Sequence, residues 1–187
     1  MVRRICSIGL LVLALLALAA ISRGMAVPPK PEGEVKAPPK EETVEAYDSK
    51  TMGAVQVKGD TKDYFEITKD GKPAHSGAPP LLNKTLELAP GTYEIKVNKS
   101  MRKVTAEAGK KIVLLTGTLA VEGKKANFYV PFEGKERRVA GNPRTLNVPM
   151  ALFAGTYRVE LNVGVNKTVV LTDSAKVLPG MKTVLQE

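Results

Sequence analysis

Few side chains in this sequence have the chemistry of a catalyst. His75 is the single histidine and Cys6 the single cysteine. General-base catalysis needs a histidine with a partner in hydrogen-bond reach. Ser76 is only a chain neighbour, and the surrounding Lys72 to Pro80 is a Gly/Pro/Ser loop. His75 is therefore expected as an exposed loop residue. One His without thiolates cannot build a zinc centre of the usual kind. Asp60, Asp63, Glu66 and Asp70 are interleaved with Lys58, Lys62 and Lys69. Their spacing departs from the EF-hand loop, so they read as solvated hairpin acids. No catalytic residue, no metal ligand and no cofactor site is assigned.

Two further groups remain. Tyr93 and Tyr157 are aromatics that could stack on a ligand. They alternate with Ile95/Val97 and Val159/Leu161, which places them in a core. The second group is basic. Lys99, Arg102, Lys103, Lys110 and Lys111 surround one expected hairpin, and Arg137, Arg138 and Arg144 fall in a later loop region. These eight are the candidate anion-binding residues. Basic groups on edge strands also discourage edge-to-edge pairing.

The elements that hold these residues begin after an export signal. Arg3 and Arg4 form a positive n-region, Ile8 to Ile21 is apolar, and Gly24-Met25-Ala26 offers a cleavage site before Val27, with Ala17-Leu18-Ala19 as a competing site. Residues 1–26 are expected to be removed, leaving no transmembrane span. A span needs about 20 apolar residues, and this run is shorter. Cys6 precedes the apolar run, so the mature chain has no cysteine for a disulfide. The net charge of +9 falls to +6, because Arg3, Arg4 and Arg23 leave. A moderately basic exported chain suits anionic surfaces. It has little nucleic acid to meet, and its aromatics are too few for a stacking platform. The expected location is the periplasm or the outside of the cell.

Residues 27–50 are rich in Pro, Lys and Glu and lack an apolar period. They read as an extended spacer. From about residue 51 short β-type runs alternate with Gly, Pro, Asn and Asp, as in Thr92-Tyr93-Glu94-Ile95-Lys96-Val97. Asp70-Gly71 suits a tight hairpin. A shift of 64 residues lays 54–98 over 118–162 without a gap. Val57 meets Val121, Gly59 meets Gly123, and Leu82-Asn83 meets Leu146-Asn147. Gly91-Thr92-Tyr93 meets Gly155-Thr156-Tyr157. Ala108-Gly109 corresponds to Pro179-Gly180 if the second copy is seven residues longer. The expected repeats are 51–117 and 118–187.

The run Leu86-Glu87-Leu88-Ala89-Pro90-Gly91-Thr92-Tyr93-Glu94-Ile95-Lys96-Val97 resembles the strand and Pro-Gly turn of PEGA-type and carboxypeptidase-regulatory-like domains. Ala108-Gly109-Lys110 resembles their later Gly-Lys turn, while Ala154 replaces the turn proline in the second copy. The resemblance implies an all-β chain of two tandem small antiparallel β-sandwiches (Ig/prealbumin-like). It further implies an interaction or spacer module without catalytic residues. The expected function is thus a non-enzymatic envelope module that binds or spaces, with an anionic cell-envelope polymer as partner. One alternative is an envelope protein gripped through a sheet face or edge. The other is an enzyme with an unrecognised site.

Overall fold

The structure is a computed structural model that describes residues 39–133 and 138–187, with backbone only at 138–139. The expected export signal, Cys6, the Pro-rich stretch to residue 38 and Arg137 lie outside the described residues. Those that are described belong to one unit, Ala37–Glu187. They form strands and turns, with no helix among them. No helix there is long and apolar enough to cross a membrane.

The first group of strands is β1 (Glu42–Ala46), β2 (Gly53–Lys58), β3 (Phe65–Lys69), β4 (Lys72–Pro73), β5 (Thr85–Leu88), β6 (Gly91–Val97), β7 (Ser100–Ala106) and β8 (Lys110–Leu115). The second is β9 (Gly117–Glu122), β10 (Phe128–Glu133), β11 (Arg138–Val139), β12 (Arg144–Thr145), β13 (Met150–Leu152), β14 (Gly155–Gly164), β15 (Lys167–Val177) and β16 (Lys182–Gln186). They pair into four sheets, ordered β1-β8-β2-β5, β4-β3-β6-β7, β13-β9-β16 and β11-β10-β14-β15, with β12 also on β10.

The pairing pattern recurs along the chain. β2 runs parallel to β8 with Val55 opposite Ile112, and β9 runs parallel to β16 with Leu119 opposite Thr183. The shift is 64 residues on the leading strand and 71 on the trailing one. The hairpin between them absorbs the difference. β14 and β15 have 10 and 11 residues where β6 and β7 have 7 each, and bulges break the longer ladder. Gly109 and Gly180, at φ +73° and +65°, occupy the matching turns. Asp70 and Gly71 both have positive φ, as a two-residue hairpin turn requires.

Two details explain why the repeated residues recur. Asn83 and Asn147 have φ of 72° and 65°, which Asn tolerates better than most residues. Each uses its side-chain amide to pair with the backbone of one glycine. Asn83 Nδ2 donates to Gly59 O at 2.9 Å, and Asn147 Nδ2 donates to Gly123 O at 3.0 Å. Tyr93 and Tyr157 are buried, and each hydroxyl donates to a carbonyl four residues earlier, Ala89 O at 2.7 Å and Phe153 O at 2.6 Å. The alternation on β6 turns Tyr93, Ile95 and Val97 into a core shared with Val55, Val57, Ile112 and Leu114. Tyr157, Val159 and Leu161 join Leu119 and Val121 in a second core.

One boundary needs correction. Residues 42–46 fall inside the stretch read as spacer, yet β1 pairs with β8 over five residues. All five are exposed, so no apolar face announces the strand in sequence. Its partner edge, not its own pattern, makes it a strand.

Candidate functional site

Strand β13 and the polar groups around it occupy the junction of the two copies. Alternation along this strand sends side chains in opposite directions. Met150 and Leu152 enter the second core, while Ala151 and Phe153 enter the first. Phe153 is fully buried, and the Arg102 guanidinium lies 5.1 Å from its ring centroid. Arg102 also donates to Ala154 O, and Phe153 N donates to Ser100 Oγ at 3.1 Å.

Asp63 is the polar centre of this junction. It is only 7% exposed. Its carboxylate accepts from Ala151 N at 2.7 Å, from Thr61 Oγ1 at 2.7 Å and from Arg144 Nη2 at 2.5 Å. Burial alone would raise its pKa. The hydrogen bonds from Ala151 and Thr61 and the Arg144 cation outweigh burial and lower it. A carboxylate so held is a weak base and a good structural acceptor. The expectation of a solvated hairpin acid is therefore corrected at Asp63. Asn98 adds a further tie, donating from Nδ2 to Ala151 O at 2.8 Å.

Beside this junction lies an open cleft of about 590 Å³, lined among others by Lys62, Tyr64, Pro79, Lys96, Asn142 and Arg144. Tyr64 is 57% exposed and is the one aromatic of the cleft. Among the described residues no cluster of three or more His, Asp or Glu could hold a metal. His75 is half-buried and its Nδ1 lies 3.3 Å from Ser76 O.

Among the described residues the basic candidates do not converge on one exposed patch. Arg102 Nε lies 2.7 Å from Glu41, and Lys111 lies 2.6 Å from Glu45. Lys103 lies 3.5 Å from Glu94, and Lys110 pairs with Glu107. Arg144 is tied to Asp63. Lys99 is exposed at the β6–β7 turn, and its backbone N–H donates to Ala140 O at 3.0 Å. Arg137 and the Arg138 side chain are outside the described residues. Two of these pairs, Arg102 with Glu41 and Lys111 with Glu45, hold β1 and its leading residue against the first copy.

The 64-residue overlay contained the signal for the junction. Ala151 and Phe153 align with Glu87 and Ala89. Charged Glu87 against apolar Ala151, and small exposed Ala89 against large buried Phe153, mark a face that is covered in only one copy.

No family model matches the chain, and no curated protein matches it. Among solved structures, the Bacillus anthracis TIE protein is similar at 15% identity over 73% of this chain, with a TM-score of 0.27. The match covers 34% of that protein, so the chain spans about a third of its length. A likeness at that TM-score carries no argument about fold or function.

Proposed function

We propose that the chain is a non-enzymatic, exported envelope module that grips a protein partner through its sheets and spaces it from the cell. Its body is two tandem small β-sandwiches of PEGA-like type behind a Pro-rich leader. The recurring strand pairing and the two cores, each filled mainly from two sheets, support that architecture. The observation that favours a protein over an anionic polymer is the pairing of the basic candidates. Arg102, Lys103, Lys110, Lys111 and Arg144 each lie against a carboxylate of the same chain. A neutralised cation attracts a polyanion weakly, and exposed charges act only within a Debye length of about 8 Å at physiological salt.

Co-sedimentation with purified envelope at low and high salt tests the proposal. Retention is expected to survive high salt and to survive replacement of Lys99, Arg137 and Arg138 by Gln. Retention that high salt abolishes, and that the triple variant loses, would favour an anionic polymer and overturn the protein reading.

A further inference from the structure

The two copies differ at one sheet edge. In the first copy β8 has a neighbour on each side, β2 and β1. In the second copy β16 has β9 on one side and, among the described residues, no strand on the other. The 71-residue shift sets Lys182 in the place of Lys111, Val184 in that of Val113 and Gln186 in that of Leu115.

Hydrogen-bond direction follows from the ends of the strand. Met181 O accepts from Thr118 N at 2.8 Å and Glu187 N donates to Glu122 O at 2.9 Å, so the odd-numbered residues face β9. Strand alternation then turns the N–H and C=O groups of Lys182, Val184 and Gln186 outward. The equivalent groups of β8 face β1, as Leu115 N shows by donating to Glu41 O at 2.7 Å. Burial differs in the same sense. Ile112 and Leu114 are 3% and 1% exposed, whereas Thr183 and Leu185 are half-buried and Val184 is 40% exposed. The β9–β16 ladder runs without a register shift, and β16 contains no Pro. Bulges, prolines and edge lysines are the usual means of closing an edge to a foreign strand, and of these β16 carries only Lys182, which an acidic strand would neutralise.

We infer that the outer edge of β16 accepts an extended acidic segment of another protein, laid antiparallel on it as β1 is laid on β8. This rests on the reading of the chain as a protein-binding module. The chemistry of the occupant is set by what β1 does in the first copy. There Glu45 stands opposite Lys111, and the two charges meet at 2.6 Å. Lys182 asks for an acid at the same place on an incoming strand. Main-chain hydrogen bonds supply affinity in such strand addition, and side chains supply choice. The chain's own β1 is held by β8 within the same molecule, which leaves β16 for a foreign strand.

A labelled peptide of residues 39–48, Pro-Lys-Glu-Glu-Thr-Val-Glu-Ala-Tyr-Asp, is the probe, titrated by fluorescence anisotropy onto the full chain. Saturable binding is expected. Val184→Pro removes an outward N–H without touching the β9 ladder, and is expected to weaken binding about tenfold or more. Lys182→Glu is expected to weaken it about threefold, and a peptide with Lys at its Glu45 position to restore it. That restoration keeps the test decisive if Val184→Pro fails to fold. Absence of binding, or binding that neither variant alters, overturns the inference. Self-association of the unvaried chain that Val184→Pro abolishes would make the occupant a second copy and overturn the assignment to another protein. Salt-resistant envelope retention unchanged by both variants would sink the edge and leave the protein-binding module standing. Salt-labile retention would remove the module reading itself.

Discussion

Asp63 joins the copies through three partners, of which two, Arg144 and Ala151, belong to the second copy. Asp63→Asn keeps the shape and removes the charge. It is expected to cost about 1–3 kcal/mol, because buried donors lose a charged acceptor. The pH dependence has a definite sign. The folded carboxyl pKa is lowered, so its contribution is present above about pH 4, the unfolded range, and is lost as pH falls through the folded value. Thermal melts between pH 2.5 and 6 are expected to show the gap between wild type and Asp63→Asn closing on acidification. A gap that stays constant across that range would show that Asp63 is not ionised in the fold. The tyrosines belong to the same scale. Tyr93→Phe and Tyr157→Phe each remove one hydroxyl bond to a carbonyl and are expected to cost about 0.5–1.5 kcal/mol. Tyr93→Ala empties a core position and is expected to cost about 3–5 kcal/mol. Denaturant titrations read both effects, and an unchanged midpoint for Tyr93→Ala would place that ring outside the core.

At the scale of elements, β13 does two jobs with three residues and the Phe153 that follows. Phe153→Ala is expected to cost about 3–5 kcal/mol, the range for truncating a large buried aromatic. It also strips Arg102 of the ring beneath it. If urea unfolding of the variant matched wild type, Phe153 would not be the anchor between the copies. What the sequence made legible here is uneven, for physical reasons. Turn positions such as Asp70-Gly71, Gly109 and Gly180 need unusual backbone angles, so their residue types betray them. Inward positions on β6 and β14 alternate with polar ones and betray themselves by period. β1 has neither signal, since its five side chains are exposed and its strand state comes from β8. Asp63 looks like any other acid among lysines, because two of its three partners, Arg144 and Ala151, lie 81 and 88 positions later. Arg144 read as a loop cation for the same reason.

At the scale of the whole molecule, the ties across the junction bear on cooperativity. Each copy alone is near the size at which a core is marginal. Two cores joined by Phe153, Asp63 and Arg144 are expected to unfold in one transition, and Phe153→Ala to separate that transition into two. Calorimetry reads this directly, and two resolved transitions in the wild-type chain would show independent copies. The outer edge of the trailing strand is covered by β1 in the first copy and, among the described residues, has no strand beside it in the second. Amide hydrogen exchange, read residue by residue by NMR on the full chain, tests this asymmetry most directly. Outward amides of β8 at Lys111, Val113 and Leu115 are expected to exchange at least about a hundredfold slower than those of Lys182, Val184 and Gln186. Equal protection of Val113 and Val184 would mean that β16 already has a neighbour, and would contradict the account.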